Sequence, residues 1–233
     1  MVSKTRLWWI SSLIIGVLIT FIGIGSPALA QLEEAIPLVV STSQALPELW
    51  AVPDFTLTDQ TQHQLQRQDL RGQVWVASFI YTSCPDVCPL ITRQIAALRD
   101  ALVASALLGD SVRLVSFTVD PERDSPAVLQ TYAQKFKAEN PQDWAFLTGD
   151  RDQIRTLLVD GFHLIVEPNA QMVMGDNDSA QQTTATGDIA HSNRAMVVDR
   201  CGQVRASHPV LEPDRFKQLV KDLTAVVQEP GTC

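Results

Sequence analysis

The stretch WVASFIYTSCPDVCPL, Trp75 to Leu90, holds an apolar strand, an irregular turn and the start of a helix. Trp75 to Tyr81 is aromatic-rich and of strand length, suited to a central strand buried on both faces. Pro89 has no N–H to give to residue i−4, so a helix already running at Pro85 would be broken there. That puts Pro89 in the first helical turn and CPDVC in the irregular lead-in. Both sulfurs, Cys84 and Cys88, then lie near the positive end of the helix dipole, which favours thiolate. Asp86, between them, opposes that effect and adds negative charge where a cation would sit.

Working outward, Pro89 to Leu108 reads as a helix with Ile91, Ile95, Leu98 and Leu102 on one face. Val112 to Val119 is a second central strand. In PERDSPAVLQTYAQKF, Ser125 is the N-cap of another helix and Pro126 sits where its missing N–H costs nothing. Val128, Leu129, Tyr132 and Phe136 form the stripe of that helix. WAFLTGD supplies a short strand and Asp152 to Val159 a short helix. Upstream, DFTLTDQTQHQLQRQDLRGQ from Asp54 reads as a short hairpin. Downstream, Glu167 to Ala190 is a polar excursion of low periodicity. RAMVVDRCGQVRASH is a hairpin turning near Arg200–Gly202, and Pro213 to Val227 is a final amphipathic helix. Strands alternating with helices define an α/β sandwich. The cysteine pair falls where the first long strand runs into its helix, the edge at which open α/β sheets bind ligands.

The 233 residues, 45% hydrophobic and 19% charged, make one ordinary domain with appendages. A net charge of −8 without a basic run gives no footprint for nucleic acid. At the N-terminus, Lys4 and Arg6 precede an uncharged run from Leu7 to Gly25. Its nineteen residues span about 28 Å as a helix, close to a bilayer's hydrocarbon thickness. Positive charge before the run predicts a cytoplasmic N-terminus and an exported remainder. Ala28-Leu29-Ala30 has the pattern of a signal-peptidase site, but the run exceeds the ordinary signal core and is read as an uncleaved anchor. The division expected is residues 1–30 as membrane anchor or signal, 31–53 as a proline-punctuated tether, and 54–233 as the globular domain. The domain then sits in an oxidising compartment where paired cysteines can be disulfides.

Three readings of Cys84–Cys88 remain open on the residues alone. A purely structural disulfide across so short a loop removes little unfolded-state entropy. A redox pair of the thioredoxin type usually has two intervening residues, and a third alters strain and potential. A metal site with two thiolates is a soft donor set that selects copper(I), zinc or iron–sulfur, and copper needs one more ligand for a trigonal site. Zinc would want a second short-spaced pair, which the chain lacks. Of the four histidines, His63 and His208 read as surface residues and His163, in GFHLIV, as a packed strand residue. His191 follows the polar excursion and precedes the terminal hairpin; taken alone it too would be a surface residue.

FIYTSCPDVCP, VDPERDSPAVLQTYAQKF, WAFLTGD and HSNRAMVVDRCG resemble, in order and spacing, the SCO/SenC family of thioredoxin-like copper proteins, over most of Pro53 to Val227. The resemblance implies a thioredoxin-like fold and copper held by Cys84, Cys88 and His191. It also implies assembly of the dinuclear copper centre of a haem–copper oxidase, by copper delivery or by keeping that centre's cysteines reduced. The copper acceptor would be an oxidase subunit or another copper chaperone. Asp86 and Asp120 match acids of the family, the first tuning charge and partner contact, the second holding its loop. The chain departs from the pattern at Ala190, where an acid is usual, and at Cys201, where the turn usually has proline. Met172 and Met174, in the excursion, read as solvent-facing rather than as extra soft donors. Cys201 and Cys233 lack motif partners and suggest a second disulfide tying the C-terminus to the hairpin.

Overall fold

The computed structural model describes residues 45–164 and 192–231. Its strands are β1 (Trp50–Ala51), β2 (Thr56–Asp59), β3 (Gln64–Gln66), β4 (Val74–Ile80), β5 (Val112–Thr118), β6 (Trp144–Thr148), β7 (Arg194–Val198) and β8 (Gln203–Pro209). The α-helices are α1 (Val87–Ala104), α2 (Pro126–Lys135), α3 (Arg151–Thr156) and α4 (Pro213–Gln228). All the strands join one mixed sheet in the order β1-β8-β7-β4-β5-β6-β2-β3. β4, β5 and β6 run parallel, and the remaining pairings are antiparallel. This is a mixed α/β architecture, consistent with the thioredoxin-like fold expected from the sequence.

The run that begins WVASFI is buried at every position of β4, as a strand covered on both faces must be. Its alternation sorts the core. Val74, Val76 and Ile80 pack with α1, α2 and α4 through Ile95, Leu129 and Leu223. Trp75, Ala77 and Phe79 turn the other way, onto Val52, Phe55, Ile154 and Phe162. On that second face the rings of Phe79 and Phe162 lie 4.9 Å apart and those of Phe117 and Phe162 5.1 Å apart. Such pairs add about 0.5–1.5 kcal/mol each beyond burial. Polar groups inside the first face satisfy one another: Ser78 Oγ is 2.7 Å from Ser116 Oγ, which also accepts from Trp144 Nε1 at 2.9 Å.

Helix limits differ from the sequence reading for local reasons. α1 begins at Val87, two residues before Pro89, and ends at Ala104 rather than Leu108. Ala106 takes a left-handed φ of 53°, which the helix cannot continue through. The expected helix Asp152–Val159 is α3 followed by a π turn over Leu157–Gly161. The hairpin of β7 and β8 turns where expected, with Gly202 at φ 85°. A Cβ at Gly202 would meet Arg67 Nη1 at 2.7 Å.

The folded part begins earlier than Asp54. Leu49 and Val52 donate backbone N–H groups to Val204 O and Gly202 O, and Trp50 Nε1 donates to Gly161 O at 2.9 Å. Arg205, 7% exposed, bonds the carbonyl of Leu46 and pairs with Glu229 at 2.8 Å and Asp199 at 3.1 Å. The last residues assigned to the tether are therefore an edge strand and its clasp. They lie at the β7–β8 turn, where α4 also ends. The carboxyl ends of β4, β5 and β6 form the opposite end of the sheet, together with the start of β7. Among the described residues no helix is long and apolar enough to cross a membrane, and the expected anchor, Leu7 to Gly25, lies outside them.

Candidate paired-thiol site

At the carboxyl end of β4 the chain turns through Tyr81, Thr82 and Ser83, with Cys84 N–H donating to Tyr81 O at 3.3 Å. Asp86 is the N-cap residue of α1, yet its side chain makes no capping bond and stays exposed. The Cys84 sulfur takes that role, accepting the Cys88 N–H at 3.4 Å. A helix start leaves its first N–H groups without intrahelical partners, and a sulfur placed there is drawn toward thiolate. Both cysteines are free and buried, at 8% and 5% exposure.

The two thiols are not equivalent. Burial pushes Cys84 up, but the backbone of Cys88 and Asp86 and the side chains of Tyr81 and Cys88 hydrogen-bond it, leaving it below its ordinary value. Cys88 is pushed up to about 12, chiefly by burial, with the Cys84 and Asp124 charges adding to the shift. Tyr81, bonded to Cys84, is pushed up to about 12, again by burial first. The arrangement therefore has one thiolate-prone sulfur and one held protonated, touching each other. Behind Cys88, Thr92 Oγ1 donates to the Cys88 carbonyl at 2.8 Å, and the Tyr132 hydroxyl lies 2.8 Å from that same Thr92 oxygen.

A cavity of about 420 Å³ opens beside the pair, lined by Tyr81, Cys84, Asp86, Cys88, Ser192 and Asn193 among others. Val210 N–H donates to Asn193 O at 2.8 Å, fixing where the chain joins β7 at this edge. His191 itself, Met172, Met174 and Cys233 lie outside the described residues. Among the described residues no three His, Cys, Asp or Glu side chains cluster as a metal site. Cys201 is disulfide-bonded.

Two of the other histidines depart from the sequence reading. His208 is buried rather than superficial, with Nε2 2.7 Å from Asp222 Oδ2, because β8 presents it under α4. His163 is exposed rather than a packed strand residue. Its φ of 52° ends the π turn, and its ring lies 4.5 Å from that of Trp50. His63 is exposed, as read.

Sequence reasoning picked Asp120 as the loop acid and missed Asp124. Asp120 is buried and pairs with Arg123 at 2.7 Å. Asp124, with no exposed surface, reaches the cysteine loop: it accepts from Thr82 N at 3.0 Å, Thr82 Oγ1 at 2.5 Å and Thr118 Oγ1 at 2.5 Å. The signal available was a threonine ending the second central strand, another two residues past the first, and an acid preceding the Ser125–Pro126 cap.

A mixed α/β fold with two free sulfurs at the carboxyl edge of its central strands defines a paired-thiol protein. The SCO1/SenC family model matches residues 44–228, and the chain belongs to the SCO1/SenC family. It is 34% identical over 119 residues to the SCO1 protein homolog of Bacillus subtilis, covering 51% of this chain and 60% of that one. The chain thus spans less than two thirds of that relative's length. Among solved structures it is similar to BsSco, described as having a disulfide switch and as a member of the Sco family of cytochrome c oxidase assembly proteins. That similarity has TM-score 0.63 and 25% identity, over 80% of this chain and 99% of that one. The copper-bound ScoI of Bradyrhizobium japonicum shares the fold, with TM-score 0.57 and 23% identity over 76% of this chain and 99% of that one.

Proposed function

We propose that this protein is a copper metallochaperone serving the dinuclear copper centre of a haem–copper oxidase. The observation that carries the reading is one cavity whose wall holds both soft sulfurs together with Ser192 and Asn193, the residues that follow His191. His191 is the residue before Ser192 in the sequence, and an imidazole is the donor that would complete a set with the two sulfurs. Two thiolates and an imidazole suit copper(I), and so low a coordination leaves room for an acceptor thiolate to take the ion. Copper is the cargo here, and the ligands must shed their protons to hold it.

Membership of the family and the copper-bound state of a protein of the same fold support this reading. The acceptor is an oxidase subunit or another copper chaperone. The Leu7–Gly25 run holds the protein in a membrane with its domain on the exported side. Within the folded part, the cysteine edge lies at the end of the sheet opposite the β7–β8 turn. Copper content and absorption spectra of the reduced protein test the proposal. One copper per chain with a sulfur-to-copper band is expected, lost in Cys84→Ser. No copper in the wild type overturns it.

A second reading is favoured by the inequality of the two thiols. A Cys84 thiolate attacks a partner disulfide, forming a mixed disulfide and releasing one partner thiolate. Cys88 then loses its proton and displaces the second partner thiolate, leaving Cys84–Cys88 oxidised and the partner reduced by two electrons. Reduction of a disulfide substrate in copper-free buffer, undiminished in His191→Ala, is the result this reading requires.

A further inference from the structure

We propose that Asp124 is the positioning residue of the cysteine loop, holding Thr82 against the end of β5 and thereby setting how readily Cys84 and Cys88 join. The inference rests on the reading of this pair as the working site, whichever of its two chemistries operates. Asp124 sits in the turn before α2, its N–H bonded to Asp120 O at 3.0 Å. Its carboxylate crosses to the neighbouring loop and takes three donors, from the backbone and hydroxyl of Thr82 and the hydroxyl of Thr118. Thr118 is the last residue of β5, and Thr82 lies two residues past the end of β4 and two before Cys84.

A carboxylate suits the junction because it accepts only, with lone pairs for several donors at once, whereas an amide would turn its own N–H groups toward some of them. The acid is costly all the same. It is fully buried, and among the described residues no cation pairs with it. A loop staple needed only for stability could be apolar or neutral, so a buried carboxylate at this junction points to the adjoining thiols.

The test measures two quantities on copper-free protein: the Cys84–Cys88 dithiol–disulfide constant in glutathione buffers, and the unfolding midpoint. Asp124→Asn and Thr82→Val should each change the constant by tenfold or more, about 30 mV for a two-electron couple. Thr118→Val, which cuts the β5 arm of the same junction, should shift the constant in the same direction, whereas Leu219→Ala, on the buried face of α4, should lower the midpoint and leave the constant within twofold. A constant within twofold of wild type in both Asp124→Asn and Thr82→Val, with only the midpoint lowered, overturns the proposal. If Asp124→Asn fails to fold, Thr82→Val decides it alone. Since no copper is present, failure of the copper reading leaves this result standing.

Discussion

Cys84 and Cys88 carry the same side chain into one cavity and leave with opposite acidities. Cys84 caps a helix start and collects hydrogen bonds; Cys88 is buried behind it. Iodoacetamide near pH 7 should therefore modify Cys84 roughly tenfold or more faster than Cys88, because the thiolate is the nucleophile. Site-resolved mass spectrometry checks this, and equal rates would contradict it. Linkage gives a second expectation. A thiol whose folded value is raised stays protonated in the native state while the unfolded chain ionises. Its contribution is complete below the unfolded value near 9 and is lost as pH rises toward about 12. Tyr81 acts in the same direction, from 10 toward about 12. The reduced protein should lose thermal stability over that alkaline window, and Cys88→Ala should lessen the loss. The pair and its helix-end setting were legible in the sequence because Pro89 constrains the backbone locally. Asp124 was not, since its bonds depend on Thr82, past the end of β4, and Thr118, at the end of β5, lying close in the fold and distant in the chain.

The elements answer to short-range rules where those rules are strong. Ser125 caps α2 by accepting from Val128 N at 3.4 Å, as SP before an apolar stripe implies. Ser125→Ala should cost about 1 kcal/mol. In a chain of this size that lowers the melting temperature by roughly 2–4 °C. Leu98, 1% exposed on α1 against the sheet, should cost about 2–5 kcal/mol when cut to alanine. Calorimetry of the two variants ranks them, and a larger loss for the cap than for the core residue would contradict the packing described. The stripe Ile91, Ile95, Leu98 and Leu102 was readable because helical period and burial coincide. His163 and His208 were misread because neither backbone handedness nor a buried carboxylate partner leaves a periodic trace. One follows a π turn, and the other meets Asp222 on α4.

At the scale of the molecule, the sheet separates its two ends by task. One end gathers the chain's way in and its way out, where Arg205 clasps Leu46, Asp199 and Glu229. Removing that guanidinium leaves two partly buried carboxylates unpaired, so Arg205→Ala should destabilise by about 3 kcal/mol without altering thiol reactivity. Urea unfolding beside the alkylation assay checks both halves. The other end holds the cysteines and the start of β7. The α/β class and the order of its elements followed from the sequence, whereas the clasp did not: a two-residue edge strand has no period to read. The central claim concerns what meets at the cysteine edge. Competition between the reduced full-length protein and a copper(I) chelator tests it most directly. The account predicts one copper per chain and an affinity weakened roughly tenfold or more in His191→Ala, since even outer partners of metal ligands contribute on that order. An unchanged affinity in that variant would contradict it.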